Sequence, residues 1–204
     1  MFQENQQPAI LTWAGIYSSG FHIETGNLVP PGEKIPSCVP DDRRELDWRC
    51  AYNHSIDTSI DRSLYQMQTA IEAFLMRDPA FNPSQKPRKD FQNGLKVDST
   101  PRYTFQNKMF VRKYDRPQSA KDERRSKRMK WHPWIIRALE GKPQFFANPE
   151  KPTVTEWRSG QFHDISTCKP PYLQAGDVVW FSMKLTVHVT NSNWWRDFVA
   201  EEIV

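Results

Sequence analysis

A mainly β chain with a few helices (α+β) is predicted, built as a compact barrel or strongly curved antiparallel sheet with one packed amphipathic helix. Three observations predict it. Over residues 177–190 the odd positions Val179, Phe181, Met183, Leu185, Val187 and Val189 are apolar and the even ones mixed, the alternation of a half-buried strand. At about 13 residues this strand spans roughly 43 Å at about 3.3 Å per residue, a length at which strands normally curl, as in a barrel or a strongly bent sandwich. Thr190-Asn191-Ser192-Asn193 then turns the chain, and Trp194–Val204 returns, giving a C-terminal hairpin over 177–204. Only one segment, 62–77, has a clear helical stripe.

The remaining elements follow in chain order. Residues 9–17 read as a strand whose interior Gly15 marks a bulge or bend. Residues 26–44 hold Gly26, Pro30, Pro31, Gly32, Pro36 and Pro40, a density that forbids regular structure. Residues 45–52 form a short strand or turn around Trp48. In the 62–77 helix Leu64, Met67, Ala70, Ile71, Phe74 and Leu75 make the apolar stripe, Asp61 is the N-cap and Pro79 sets the stop. A second proline-punctuated connection covers 79–101. Residues 102–114 alternate as a strand, with Asn107 interrupting its apolar set. Ser119 and Asp122 fit a capping box that opens a surface helix over 119–130. Pro133 opens and Gly141 closes a short helix over 133–140. Two short strands flank Ser159-Gly160 within 153–166. No linker separates two cores, so 1–204 reads as a single domain.

Composition narrows the function classes. The chain has 204 residues, 38% hydrophobic and 25% charged, without an apolar run that could span a bilayer as a helix. The start, Met1-Phe-Gln-Glu-Asn-Gln-Gln, does not resemble a secretory signal, and three sparse cysteines (Cys38, Cys50, Cys168) favour a reducing compartment. An intracellular location is therefore expected. The net charge of +4 conceals segregation. Residues 1–84 carry 6 Lys+Arg against 11 Asp+Glu, residues 85–137 carry 16 against 5, and residues 138–204 carry 6 against 8. One strongly basic middle in an otherwise acidic protein is the electrostatic footprint of a polyanion partner.

The basic segment 102–131 carries the candidate site. Arg102, Lys108, Arg112, Lys113, Arg116, Lys121, Arg124, Arg125, Lys127, Arg128 and Lys130 interleave with Tyr103, Phe105, Phe110, Tyr114 and Trp131. Cations neutralise phosphates and aromatic faces stack bases, so this mixture suits single-stranded nucleic acid. On a helix, Lys121, Arg124, Arg125 and Arg128 share one face with no apolar complement, so the helix is exposed or forms with a partner. Residues 124–130 also read as a nuclear-import signal. A second row lies on the long strand. Trp180, Lys184 and His188 are four apart, so their side chains point the same way at roughly 13 Å intervals.

Motifs for other chemistries are missing. The eight glycines are scattered, and no phosphate-binding loop, zinc motif or serine-hydrolase elbow occurs. Cys38, Cys50 and His54 match no standard zinc spacing, and the acidic cluster Asp41, Asp42, Glu45 and Asp47 has no identifiable partners for a two-metal hydrolase. No catalytic residue, metal or cofactor is therefore expected, and the chain reads as non-enzymatic.

The C-terminal third, from Leu173-Gln-Ala-Gly-Asp-Val-Val-Trp-Phe through the turn to Phe198-Val-Ala-Glu-Glu-Ile-Val204, resembles the last hairpin of phage-type OB-fold single-stranded-DNA-binding proteins. The likeness covers roughly 133–204 and rests on Gly176, Asp177 and the alternation, without the family's glycine-rich return strand. It implies an OB-like barrel that cradles single strands, and transfers no functional residue. The rival expectation is a capsid- or coat-like assembly protein whose basic segment faces nucleic acid, with homo-oligomers through its hairpin edge and some of its eight tryptophans.

Overall fold

The computed structural model describes residues 3–4, 7–8, 10–28, 46, 50–89, 101–114 and 118–204. Two short strands, β1 (Gln3–Glu4) and β2 (Gln7–Pro8), pair with each other. The main sheet takes β3 (Ile10–Gly20), β4 (Ala51–Asp57), β5 (Arg102–Lys108), β8 (Thr153–Arg158), β9 (Gln161–Asp164), β10 (Val178–Val189) and β11 (Trp194–Ile203), in the order β5-β4-β3-β10-β11-β8-β9. A small separate sheet joins β6 (Phe110–Arg112) to β7 (Phe145–Ala147). Helices α1 (Ser63–Leu75), α2 (Ala120–Arg128) and α3 (Pro133–Leu139) complete the fold. The α+β class, the long strand, the C-terminal hairpin and all three expected helices are present. The sheet is mixed rather than purely antiparallel, because β8 runs parallel to β11. Most of the 26–44 connection, the later part of 79–101, and Trp48 lie outside the described residues.

The sheet is strongly curved. In a flat sheet β5 and β10, three strands apart, would be separated by roughly 14 Å. Instead the rings of Phe105 and Phe181 stack with centroids 4.5 Å apart, and Tyr103 meets Phe198 of β11 at 6.0 Å. One concave face thus wraps a core that includes Tyr17, Ile56, Leu64, Tyr103, Val179 and Met183. Among the described residues no ladder joins β5 to β11, so no hydrogen-bonded barrel closes. Besides the Tyr103–Phe198 contact, a hydrogen-bonding side chain bridges the gap. Asn107, 2% exposed, accepts from the Ala200 N–H at 3.1 Å and donates Nδ2 to the Ala200 carbonyl at 2.7 Å and the Glu150 carbonyl at 3.0 Å. It occupies the edge of β11 that β8, paired only at Glu202 and Ile203, leaves uncovered. The residue that interrupts the apolar alternation is therefore a fastening between two strands.

Bulges account for part of the curvature. Register shifts fall at Ser182/Met183 against β11 and at Tyr17/Ser19 against β4. Gly15, expected to bend β3, instead pairs regularly with Val179 and lets the Ile56 side chain pack against it. The Gly176-Asp177 step makes the entry to β10. Gly176 has φ +99°, Asp177 Oδ2 accepts from the Gln174 N–H at 2.8 Å, and the two backbones bond to Tyr17.

Helix α1 is shorter than expected at both ends and rotated. Its buried residues are Leu64, Tyr65, Gln68 and Leu75, with Met67 and Ile71 partly buried, while Ala70 and Phe74 face solvent. Tyr65 turns the helix inward: its hydroxyl donates to the Arg102 carbonyl at 2.9 Å and its ring meets Tyr103 at 5.2 Å. Asp61 sits one residue before the N-cap, Arg62, and accepts from the Ser63 N–H at 2.8 Å. Residues 79–89 strap the start of β11, where Phe81 packs edge-on to Trp194 at 5.1 Å and the Pro87 carbonyl accepts from the Trp194 N–H at 3.0 Å.

A second apolar cluster lies between β6, β7 and α3. It contains Leu46, Cys50, Tyr52, Met109, Phe110, Ile135 and Ala147, with Trp131 and Phe145 against it. The 22–28 loop closes over it at Gly26, whose φ is +52° and where a Cβ would stand 2.4 Å from the Ala51 carbonyl oxygen.

Candidate nucleic-acid interface

Helix α2, Ala-Lys-Asp-Glu-Arg-Arg-Ser-Lys-Arg, has no buried residue. No apolar face holds it to the body, so its stability comes from its ends. Ser119 Oγ accepts from the Asp122 N–H at 3.1 Å, and Asp122 Oδ2 accepts from the Ser119 N–H at 3.0 Å, the reciprocal capping box. Asp122 and Glu123 lie in the first turn and Arg125, Lys127 and Arg128 in the last, complementing the helix dipole. Beyond the helix the half-buried Trp131 packs on the second cluster and donates Nε1 to Ser126 Oγ and its carbonyl, both at 3.2 Å. This tethers the C-terminal end of α2 to the body. Lys121, Arg124, Arg125, Lys127, Arg128 and Lys130 are all exposed.

The rest of the basic segment divides. Arg112 and Lys113, both exposed, continue from β6, and the Arg112 guanidinium lies 5.5 Å from the Phe145 ring centroid. Lys108 is exposed at the end of β5 that leads into β6. Arg102 is exposed at the opposite end of β5, paired in register with Asp57. Tyr103 is not a stacking platform: it is 3% exposed, packed against Tyr65, Phe105 and Phe198, and burial raises its hydroxyl pKa. Trp131 is a tether rather than an open ring, because its N–H is engaged and its ring leans on the core. Arg116 lies outside the described residues.

On β10 the expected row does share the outer face. Trp180 is 51% exposed, and Lys184 and His188 follow on the same side. Strand β11 supplies carboxylates to both Lys184 and His188. Lys184 pairs with Glu201, and His188 Nε2 lies 3.3 Å from Asp197 Oδ2. The imidazole also stacks on Trp195 with centroids 4.8 Å apart, while Lys89 Nζ sits 5.0 Å from the Trp195 ring centroid. Glu201 offsets the positive charge of Lys184, which sequence spacing within one strand did not reveal. Beside it, Ile10, Ile16 and Val178 are exposed on the same face, and Thr12, Trp13, Ala14, Asp61 and Trp180 line a shallow depression of about 270 Å³.

Two exposed aromatic features stand out, the first among the aromatics of the basic segment and the second unassigned from the sequence. Tyr114, adjoining Arg112 and Lys113, is 92% exposed. Trp157 and Phe162 face each other across the β8–β9 turn, 57% and 62% exposed, with centroids 4.5 Å apart. Their symmetric placement about Ser159-Gly160 was the available signal.

Among the described residues no three His, Cys, Asp or Glu side chains are placed to hold a metal ion. Cys50 is buried in the second cluster, and His54 is buried beside Tyr17 of the first, its Nδ1 3.3 Å from the Tyr17 hydroxyl. Burial lowers His54 to about 4 and pushes Tyr17 up to about 12. Cys38 and the acidic cluster of Asp41, Asp42, Glu45 and Asp47 lie outside the described residues. No described helix is long and apolar enough to cross a membrane. No protein-family model matches the chain, and no curated protein is similar to it in sequence.

Proposed function

We propose that the chain is a non-enzymatic nucleic-acid-binding protein that prefers single strands and holds phosphates on α2, Lys130, Arg112 and Lys113. One observation carries this reading: α2 presents five cations, buries none of its side chains, and is nevertheless capped and tethered. A helix of nine residues spans only about 13 Å, so the cations are dense on the scale of phosphate spacing. Such an element contributes little apolar burial to the fold and suits a polyanion partner. Tyr114 adds an exposed ring beside the cations. The curved sheet is read here as an OB-like barrel left open between β5 and β11. Nuclear import through residues 124–130 belongs to the same proposal.

The test is a titration of the full chain against labelled single-stranded and duplex oligonucleotides at several salt concentrations. Each single-strand phosphate contact adds about 0.7 to the magnitude of the log–log salt slope. Reversing Arg124, Arg125, Lys127 and Arg128 to Glu should therefore weaken binding and flatten the slope by about 3. Unchanged affinity in that variant overturns the role of α2. Absence of binding by the parent at low salt overturns the whole reading.

A second reading, a capsid- or coat-like subunit with homo-oligomeric contacts, is favoured by the exposed Ile10, Ile16, Val178 and Trp180 on one sheet face. Light scattering tests it, and a monomeric mass at all concentrations rejects it.

A further inference from the structure

We propose that the β8–β9 hairpin is a nucleobase-stacking site, with Trp157 and Phe162 forming the platform for a base whose neighbouring phosphates lie on Lys130 and α2. This rests on the nucleic-acid reading and extends it from phosphates to bases. The hairpin projects from the sheet, since β8 pairs with β11 only at Thr153 and Val154 and β9 pairs with β8 alone. The turn is shaped to hold the two rings opposed. Ser159 has φ 53° and Gly160 φ 80°, the left-handed pair that closes a two-residue hairpin tightly. Trp157 and Phe162 are therefore direct cross-strand partners, tilted by 57°. More than half of each residue remains exposed although both are large and apolar. That exposure is what a base needs, because a π-face accepts any base with little regard to sequence.

Charge complements the platform. Strand alternation puts Thr155 and Asp164 on the same side of the hairpin as the two rings, two pairs further from the turn. Asp164 is occupied: its Oδ1 accepts from the Ser166 N–H at 2.9 Å and the Ser166 hydroxyl at 2.6 Å. Those bonds hold its carboxyl below the usual range, and Lys151 and Lys130 lie near enough to help. Lys130, two residues beyond the end of α2, is one of the cations whose charge reaches Asp164 on the ring-bearing side of the hairpin. Arg158 is exposed beside the turn, on the face opposite the rings.

The experiment compares the full chain with Trp157→Ala/Phe162→Ala and with Trp157→Phe. The probes are a labelled oligothymidylate and a nucleobase-free abasic strand of equal length, titrated at several salt concentrations. Loss of stacking should weaken oligothymidylate binding by about 5- to 100-fold. The salt slope should stay that of the parent, abasic binding should be unchanged, and Trp157→Phe should retain most of the affinity. If the parent binds and the double variant matches it on oligothymidylate, the stacking site is refuted while the phosphate reading stands. Equal losses on both probes mean the rings act on the fold or dock a protein, which also refutes it. If the parent binds neither probe, both proposals fall together.

Discussion

Replacing Asn107 with Leu removes the fastening between β5 and β11 while keeping side-chain size. Three hydrogen bonds disappear, at 2.7, 3.0 and 3.1 Å, and the site is 2% exposed, so water does not readily replace them. The Ala200 N–H is left as an orphaned donor, and the Ala200 and Glu150 carbonyls lose an acceptor bond each. An unsatisfied buried polar group costs about 1–3 kcal/mol, least for carbonyls with a second lone pair available. The added apolar contact of Leu offsets part of this. The expected net loss is about 3 kcal/mol, or roughly 6–12 °C in Tm at about 2–4 °C per kcal/mol for a chain of this size. Urea unfolding followed by tryptophan fluorescence and circular dichroism measures it. Gln106→Ala, one residue away on the exposed face, is the control and should lie within about 0.5 kcal/mol of the parent. An Asn107→Leu variant as stable as that control would refute the idea that this side chain joins the two strands.

Three further outcomes are expected. His54 is held neutral by burial, with its folded pKa of about 4 below the unfolded value of roughly 6.5. Its contribution is complete above pH ~6.5 and is lost as pH falls toward ~4, amounting to about 3 kcal/mol. Asp57, Asp61 and Asp164 are lowered chiefly by hydrogen bonds from Ser59, Ser63 and Ser166, so their contributions are lost only at still lower pH. Denaturation measured between these limits should show a slope that His54→Gln flattens, and an unchanged slope refutes the assignment. Glu72 accepts from Arg196 Nε at 2.6 Å and pairs with Arg88 at 2.7 Å, and the Arg196 side chain is only 3% exposed. Glu72→Ala should cost about 3–5 kcal/mol by stranding that guanidinium, and Arg196→Met added to it should recover much of the loss. Chemical denaturation of the two variants decides, and no recovery argues against a stranded charge. Ser119→Ala should lower α2 helicity, at a cost of about 1 kcal/mol, without changing the unfolding of the sheet. Hydrogen exchange at Asp122 and its neighbours reads this directly, and unchanged protection there would show the cap to be dispensable.

The elements read correctly from sequence share a local cause. The capping box of α2 joins residues three apart, and Pro133 and Gly141 bracket α3 through their own backbone preferences. The alternation in β10 reflects a single face meeting the core. The misreadings concern contacts across the chain. Phe74 fits the apolar stripe of α1 but is 57% exposed, because Tyr65 rotates the helix toward Tyr103. Tyr103 carries a cation on its chain neighbour and still lies in the core, since burial is set by the face of the strand and not by adjoining charges.

From sequence alone come the β-rich α+β class, the C-terminal hairpin, the segregation of positive charge into residues 85–137, and an α2 helix without an apolar face. Each is a property of composition or of spacing within a few turns or one strand. Tertiary structure alone decided how far the sheet curves, that β11 carboxylates meet Lys184 and His188, that Asn107 spans the opening, and that Trp157 and Phe162 remain uncovered. Those outcomes depend on which strands become neighbours. Pairing partners are chosen by summed burial and hydrogen bonding over residues as distant in the chain as Ile10 and Lys184, which are paired in register, and no local pattern encodes that sum.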